Sequence, residues 1–83
     1  MDRIEVLKKI NEICRDVFED DSLMVIDSTT AEEVAEWDSL THITLCNEIE
    51  DEFGIKFSLA EMQDSRNMGE LVDALIRHLD EIK

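Results

Sequence analysis

The tripeptide Asp38-Ser39-Leu40 is the feature of this sequence that points most directly to chemistry. A serine hydroxyl becomes a nucleophile when a neighbouring base or a partner enzyme activates it. Asp and Ser are also common helix N-caps, so the tripeptide by itself fits a simple cap equally well. Its position favours a reactive role, because it opens a helical pattern, follows a long loop and lies within an acidic stretch.

Two thiols and two imidazoles are the other side chains that could do chemistry. His42 and Cys46 lie four residues apart, a spacing that can place two metal ligands on one face of a helix. Cys14 and Cys46 both fall on apolar stripes, however, so we expect them to be core residues. No base is placed beside a reactive thiol, and the sequence therefore predicts neither a metal site nor cysteine catalysis.

The segment around Gly54 has a superficial likeness to a calcium-binding loop. If Gly54 occupies the sixth loop position, Ile49 falls at the first position and Ala60 at the twelfth, where a bidentate Glu is required. These residues cannot ligate calcium. The two glycines of the chain are also too few for a phosphate-binding loop.

Acidic residues dominate the charge of the chain. It has 22 Asp and Glu against 8 Lys and Arg, a net charge of −14, and residues 16–55 hold 13 acids and no Lys or Arg. This excludes nucleic acid and anionic membranes as partners, since both require basic patches. Solubility would explain scattered acids, but a long cation-free stretch favours a surface that attracts basic partners.

Other features of the whole sequence limit the class of protein. No apolar run is long enough to insert into a membrane, and the N-terminus lacks the pattern of a secretion signal. Two cysteines are too few for a disulfide framework. We expect a cytoplasmic monomer in which residues 1–83 form a single domain.

Apolar residues recur at spacings of three and four in three segments, which predicts three main helices. The first spans residues 2–18, the second begins at Asp38-Ser39 and stops at Gly54, and the last begins after the N-cap Asn67. The predicted apolar stripes are Ile4, Leu7, Ile10, Cys14 and Val17, with Ile13 and Phe18 beside them; Leu40, Ile43, Cys46, Ile49 and Phe53, with Leu45 to one side; and Met68, Leu71, Val72, Leu75, Ile76, Leu79 and Ile82.

Two capping-box patterns place the remaining structure. Ser58 with Glu61 predicts a short helix over residues 59–64, and Thr30 with Glu33 predicts one helical turn over residues 31–36. The apolar run at residues 23–26 has no second strand to pair with, so we expect a loop whose apolar side chains pack into the core. The prediction is an all-α, small four-helix bundle, with three main helices, one short helix and a long loop after helix 1.

The chain resembles the acyl carrier proteins, the small acidic helical bundles that carry phosphopantetheine. The resemblance rests on Asp38-Ser39-Leu40 and on residues that follow it at fixed spacing, and it covers essentially the whole chain. These residues are Ile43, Leu45, Ile49, Glu50-Asp51-Glu52, Phe53-Gly54-Ile55, Phe57 and the closing segment Asn67-Met68-Gly69-Glu70-Leu71-Val72.

The resemblance implies that Ser39 carries the phosphopantetheine, flanked by Asp38 and Leu40, and that the chain is a carrier and not an enzyme. A phosphopantetheinyl transferase would transfer the group from coenzyme A, and its thiol would hold acyl groups as thioesters. A phosphodiester on Ser39 would lie at a helix N-terminus, where free N–H groups and the helix dipole favour an anion. The implied partners are this transferase and acyl-loading and acyl-transfer enzymes with basic docking surfaces. Partner contacts are expected at Trp37, Asn47, Glu50 and Asp51.

Departures from the family pattern suggest a specialised, stand-alone carrier. Glu36 and Trp37 replace smaller residues before Asp-Ser, and Thr41 and Thr44 replace acids common in housekeeping fatty-acid carriers. His42 either touches a partner or the arm, or is an idle surface residue. Trp37 likewise either contacts a partner or anchors the loop.

The pathway and the cargo stay open at this point. Fatty acyl, polyketide and surface-polysaccharide roles remain, as does an aminoacyl or peptidyl carrier for nonribosomal synthesis. Outside the carriers, a helical protein-interaction module remains, whereas a calcium-responsive protein would need ligand spacing that this sequence lacks. The residues expected to shelter an acyl chain, all also assigned to the core, are Ile43, Cys46, Ile49, Phe53, Phe57 and Met62. We expect bulky Phe57 and Met62 to narrow the interior and to favour short or polar cargo.

Overall fold

Four helices joined by one long and two short connections make up residues 2–81, which are the residues that the computed structural model describes. The helices are α1 (Arg3–Val17), α2 (Ser39–Phe53), α3 (Leu59–Asp64) and α4 (Met68–Glu81). Residues 2–81 contain no strand. The predicted all-α architecture, with three long helices and one short one, is confirmed.

Capping interactions fix the helix ends where the sequence places them. The Ser58 hydroxyl and the Glu61 carboxylate each accept a hydrogen bond from the other's backbone N–H, which completes the capping box that opens α3. Asn67 Oδ1 accepts from the backbone N–H of Glu70 at 2.9 Å and caps α4. Gly54 ends α2 in the left-handed region, with φ 68°.

The buried face of α1 is rotated from the predicted stripe. Val6 and Ile10 are fully buried, whereas Ile4, which the predicted stripe assigns to the core, is 81% exposed. The long loop explains the rotation, because it packs along the neighbouring side of α1: the Asn11 side chain donates to Val25 O at 3.0 Å and accepts from Val25 N at 2.7 Å. A polar residue is thereby buried with its hydrogen bonds satisfied.

The start of α2 also differs from prediction. Leu40 is 77% exposed and Ile43 is 54% exposed, so neither belongs to the core, whereas Leu45, which the predicted stripe leaves to one side, is fully buried. The physical reason lies in α3, which has six residues and no buried side chain. It is too short to cover the first turns of α2, and an apolar surface remains open there.

The segment at residues 23–26 is a loop, as predicted: Val25 is fully buried and Leu23 packs half-buried against the core, whereas Met24 and Ile26 are exposed. The Glu33 carboxylate accepts from Thr30 N at 3.2 Å, as its pattern predicts. Residues 31–36 nevertheless form turns and no helix, so that prediction is wrong. Only Val34 of this segment is buried, and a single nucleated turn with so few packing contacts does not extend into a helix.

The core lies where α1 packs against α2 and α4, with α3 resting on α4. The stripe of α4 is buried from Met68 to Leu75, with Ile76 and Leu79 half-buried; Ile82 lies outside the described residues. The buried apolar residues are Val6, Ile10, Cys14, Phe18, Val25, Val34, Trp37, Leu45, Cys46, Ile49, Ile55, Phe57, Met68, Leu71, Val72, Ala74 and Leu75.

Candidate functional site

Ser39 is the first residue of α2, and its side chain is exposed. The preceding Asp38 caps the helix: its carboxylate accepts from Leu40 N at 2.9 Å and from Thr41 N at 3.0 Å. The Thr41 hydroxyl accepts from Asp38 N at 2.8 Å, which completes a capping box. Sequence reasoning missed this role of Thr41, although its position three residues after the cap was the available signal.

The cap also sets the electrostatics of the site. The pKa of Asp38 is lowered, first by the backbone hydrogen bond from Thr41 and then by that from Leu40, so the carboxylate is charged at neutral pH. The N–H groups of Leu40 and Thr41 are therefore already bonded. This corrects the expectation for these two groups, which are not free to receive an anion on Ser39; the helix dipole still favours one there.

The Ser39 hydroxyl has no base beside it. Within residues 2–81 no side chain forms a hydrogen bond with this hydroxyl. A serine in such surroundings is a weak nucleophile and reacts only when an external group removes its proton. The site is built to present a hydroxyl, and the activation has to come from elsewhere.

A cleft of about 390 Å³ opens next to Ser39, between α2 and α3. Ile43 and Leu59, 54% and 65% exposed, line it from the two helices. The lining residues are Ala31, Trp37, Asp38, Ser39, His42, Ile43, Leu59, Met62, Gln63 and Ser65. A group attached to Ser39 would thus lie beside an apolar surface that the fold leaves uncovered.

Trp37 and His42 form one wall of this cleft through contacts within the chain. Trp37 is only 7% exposed, and its ring centroid lies 6.0 Å from that of Phe18. Its indole N–H donates to His42 Nδ1 at 3.0 Å, and His42 Nε2 lies 2.7 Å from the carbonyl oxygen of Met62. Trp37 is therefore an anchor of the loop, and His42 is not an idle surface residue.

The other residues predicted to contact partners occupy two different environments. Asn47 and Asp51 are exposed on α2. Glu50 is half-buried, and its carboxylate accepts from Phe57 N at 2.8 Å, which holds the connection between α2 and α3. The structure therefore brings Asp38, Ser39 and Leu40 together at the start of α2. It leaves Asn47 and Asp51 exposed and gives Glu50 an internal hydrogen bond.

The acidic stretch keeps most of its charge uncompensated in the folded protein. Among residues 2–81, ion pairs reach only two of its acids: Arg3 pairs with Asp27 at 3.1 Å, and Lys9 lies 3.9 Å from Glu52. The remaining acids of residues 16–55 face solvent or accept hydrogen bonds. The potential around Ser39 is consequently negative.

The two cysteines are buried free thiols. Desolvation raises the pKa of Cys14 and of Cys46 to about 12, with the Glu50 charge adding to the effect at Cys46. His42 Nε2, which lies 3.8 Å from Cys46 Sγ, is already bonded to a carbonyl. In the part of the chain that the structure describes, no three His, Cys, Asp or Glu side chains are grouped to hold a metal ion. None of the helices within residues 2–81 has the length and apolar character needed to cross a membrane.

Comparison with known proteins places the chain in a family. Residues 5–75 match the family described as the phosphopantetheine attachment site. An acyl carrier protein of Rubrobacter xylanophilus is 35% identical over 78 residues, which cover 94% of this chain and 96% of that protein.

Two solved structures share the fold. The solution structure of the holo acyl carrier protein of Geobacter metallireducens has a TM-score of 0.85 and 37% identity, covering 92% of this chain and 87% of that chain. The crystal structure of an acyl carrier protein of Thermotoga maritima has a TM-score of 0.88 and 30% identity, covering 100% of this chain and 96% of that chain. An exposed serine at a helix start with no base of its own agrees with these matches, and this chain belongs to the acyl carrier protein family, whose members are carriers of a phosphopantetheine prosthetic group and not enzymes.

Proposed function

We propose that Ser39 is the residue to which phosphopantetheine is attached and that the chain carries acyl groups of a dedicated pathway. The observation that carries the proposal is the exposed Ser39 hydroxyl at the first residue of α2, beside an open apolar cleft. The arm supplies a terminal thiol that holds an acyl group as a thioester.

Attachment requires an external enzyme, because the chain provides no base at Ser39. The serine oxygen forms a bond to the phosphorus of the phosphopantetheinyl group, and the P–O bond of the coenzyme A diphosphate breaks. Adenosine 3′,5′-bisphosphate leaves, and the hydroxyl proton passes to a base on the transferase. Asp38, held ionised by its capping bonds, presents a fixed negative charge at the residue that precedes Ser39.

Mass spectrometry tests the attachment residue. The protein is incubated with coenzyme A and a broad-specificity phosphopantetheinyl transferase, and we expect a mass gain of one phosphopantetheinyl group. The gain should vanish in Ser39→Ala and persist in Ser58→Ala, a matched control that removes the serine at the start of α3. An unchanged mass with several such transferases, or a gain in Ser39→Ala, would refute the assignment.

A specialised role is supported by the distribution of charge along α2. Its first turn has no acid, and Thr41 and Thr44 occupy positions where housekeeping carriers often have acids. Thr41 serves the capping box instead. We therefore propose that the chain delivers its cargo to dedicated enzymes; an aminoacyl or peptidyl carrier of nonribosomal synthesis is the alternative within the same family, and fatty acyl, polyketide and surface-polysaccharide pathways all fit this site.

We propose that partner enzymes dock on the exposed face of α2 through apolar contact at Leu40 and charge contact near Asn47 and Asp51. Basic docking surfaces complement the negative potential of this region. Trp37 and Glu50 contribute indirectly by positioning the loop and the connection after α2.

Salt and charge variants test the docking. The transfer rate should fall steadily between 0.1 M and 1 M salt, over which the Debye length shrinks from about 10 Å to about 3 Å. Asp51→Asn should slow transfer by about 1.5-fold to 5-fold, the range of one exposed ion pair. Glu5→Gln removes an exposed acid of α1 that lies outside residues 16–55 and serves as the control. Transfer that does not respond to salt would refute the electrostatic docking.

We also propose that residues 1–83 act as one carrier domain and as a monomer, because the net charge of −14 makes self-association unfavourable. The two free thiols are in keeping with a reducing compartment, and the cytoplasm is our proposed location.

A further inference from the structure

Three segments meet at His42, beside the cleft. The imidazole accepts from Trp37 Nε1 at 3.0 Å and bonds the carbonyl oxygen of Met62 at 2.7 Å, so it links the loop before Ser39, helix α2 and helix α3. We call this chain of two hydrogen bonds the latch.

The partners of His42 define its tautomer. An indole N–H is only a donor and a carbonyl oxygen only an acceptor. Nδ1 must therefore be unprotonated and Nε2 must carry the proton. One hydrogen bond at each ring nitrogen holds the imidazole in a single orientation.

The latch lies between the cleft and the interior of the bundle. Trp37, His42 and Met62 all line the cleft, whereas Cys46 does not. Cys46 is fully buried one helical turn beyond His42, and its Sγ lies 3.8 Å from His42 Nε2. A chain entering the core from Ser39 between α2 and α3 would have to displace the imidazole from Met62.

We infer that the latch of Trp37, His42 and Met62 closes the bundle core to cargo and confines an attached acyl group to the cleft beside Ser39. This rests on the proposed attachment at Ser39 and names the cargo class as short acyl groups, which fit the open cleft. Opening the latch breaks two partly buried hydrogen bonds and leaves their donors and acceptors without partners. A long acyl chain can therefore contact the core only if its burial outweighs the free energy lost with these two bonds.

Acyl-loaded protein tests the inference by NMR. In the wild-type protein, the amide shifts of Cys46 and Ile49 should agree within a line width between the acetyl and dodecanoyl forms, and the Trp37 indole N–H resonance should keep its hydrogen-bonded shift in both. In His42→Ala, the dodecanoyl form should move the two amide resonances by several line widths. His42→Gln, which retains a donor for the Met62 carbonyl, should behave nearly as wild type.

His78→Gln is the matched control, because His78 also binds α3, through Glu61 at 2.8 Å, but does not line the cleft. It should leave Cys46 and Ile49 unaffected by chain length. Three results would each overturn the inference: core shifts in the wild-type dodecanoyl form, no core shifts in His42→Ala, or core shifts in His78→Gln equal to those in His42→Ala.

A second arm does not depend on phosphopantetheine. Ser39→Cys can be modified directly with methyl or dodecyl methanethiosulfonate, because Cys14 and Cys46 are buried thiols with pKa values of about 12. The same comparison of Cys46 and Ile49 amide shifts, with and without His42→Ala, then tests the latch. If the transferase adds nothing to the wild-type protein, the proposed function fails while this arm still decides the inference.

Discussion

Replacement of Gly69 by alanine should destabilise the protein, although alanine is the better helix former. Gly69 is buried in the first turn of α4, where the loop that leads to Ser39 is docked. A Cβ at this position would lie 2.8 Å from the backbone oxygen of Asp27 and 3.1 Å from its Cβ. Because the nearest atom belongs to the backbone, the loop itself would have to move.

Three contributions determine how much Gly69→Ala changes the free energy of unfolding. Alanine gains about 1 kcal/mol of helix propensity over glycine. Moving the loop weakens the hydrogen bonds from Gly69 N to Asp27 O and from Met68 N to Thr29 O, both 2.8 Å long, each of which contributes about 1 kcal/mol. Overpacking adds about 1–3 kcal/mol. We expect a net loss of about 2 kcal/mol, which lowers the melting temperature by about 8–16 °C in a domain of this size.

Thermal unfolding followed by far-ultraviolet circular dichroism measures this loss, and the fluorescence of Trp37, the one tryptophan of the chain, reports on the loop. Gly54 provides the control. It has φ 68°, and a methyl group added there would meet no other part of the protein within 4 Å. Gly54→Ala should therefore lose about 1–2 kcal/mol of stability through backbone strain alone. Gly54→Asn should recover most of that loss, because Asn tolerates the left-handed region. A Gly69→Ala protein as stable as wild type would show that the loop is not docked on α4 as described.

Three further predictions follow from the charges and thiols of the site. Asp38→Asn keeps an oxygen that can cap α2 but loses the charge, so transferase loading should slow while thermal stability changes little, whereas Asp38→Ala should lower both; equal loading of all three proteins would refute a role for the charge. The hydrogen bond from His78, followed by that from Ser58 N, lowers the pKa of Glu61 below its ordinary value of 4.5, so Glu61→Gln should cost about 1 kcal/mol at neutral pH. Because the folded pKa is depressed, that difference should be fully present above the unfolded value of 4.5 and should shrink as the pH falls through the folded pKa. Urea unfolding at a series of pH values checks it. With pKa values of about 12, Cys14 and Cys46 should react with a thiol reagent only on unfolding, so native protein should gain one fast-reacting thiol when phosphopantetheine is attached; a fast thiol before attachment would contradict their burial.

Local signals carried most of the helix prediction. Ser58 with Glu61, Asn67 with Glu70, and Gly54 each fix a helix end through bonds between residues only a few positions apart, and such bonds are readable from spacing. The Asp38–Thr41 box obeys the same rule and was available to the same reasoning.

The errors lie where a distant segment decides what is covered. Ile4, Leu40 and Ile43 fit a helical stripe, yet all three are exposed because no element within residues 2–81 covers them. Asn11 is buried because the backbone of Val25, fourteen residues away, satisfies its amide. Periodicity shows that a helix has an apolar side, but it does not show how much of that side its neighbours cover.

For the function, the sequence by itself indicated the class of protein through its resemblance to the acyl carrier proteins, which rests on Asp38-Ser39-Leu40 and the residues that follow at fixed spacing, and its acids predicted a negative region around Ser39. Only the tertiary structure decided what surrounds that serine. The cleft exists because α3 is too short to cover α2, and His42 joins Trp37 to Met62 across twenty-five residues of sequence through contacts that depend on packing. Local hydrogen bonds can be predicted from the spacing of residues in the sequence. Which apolar side chains are covered, and which distant residues are in contact, depends on how whole helices and loops pack together.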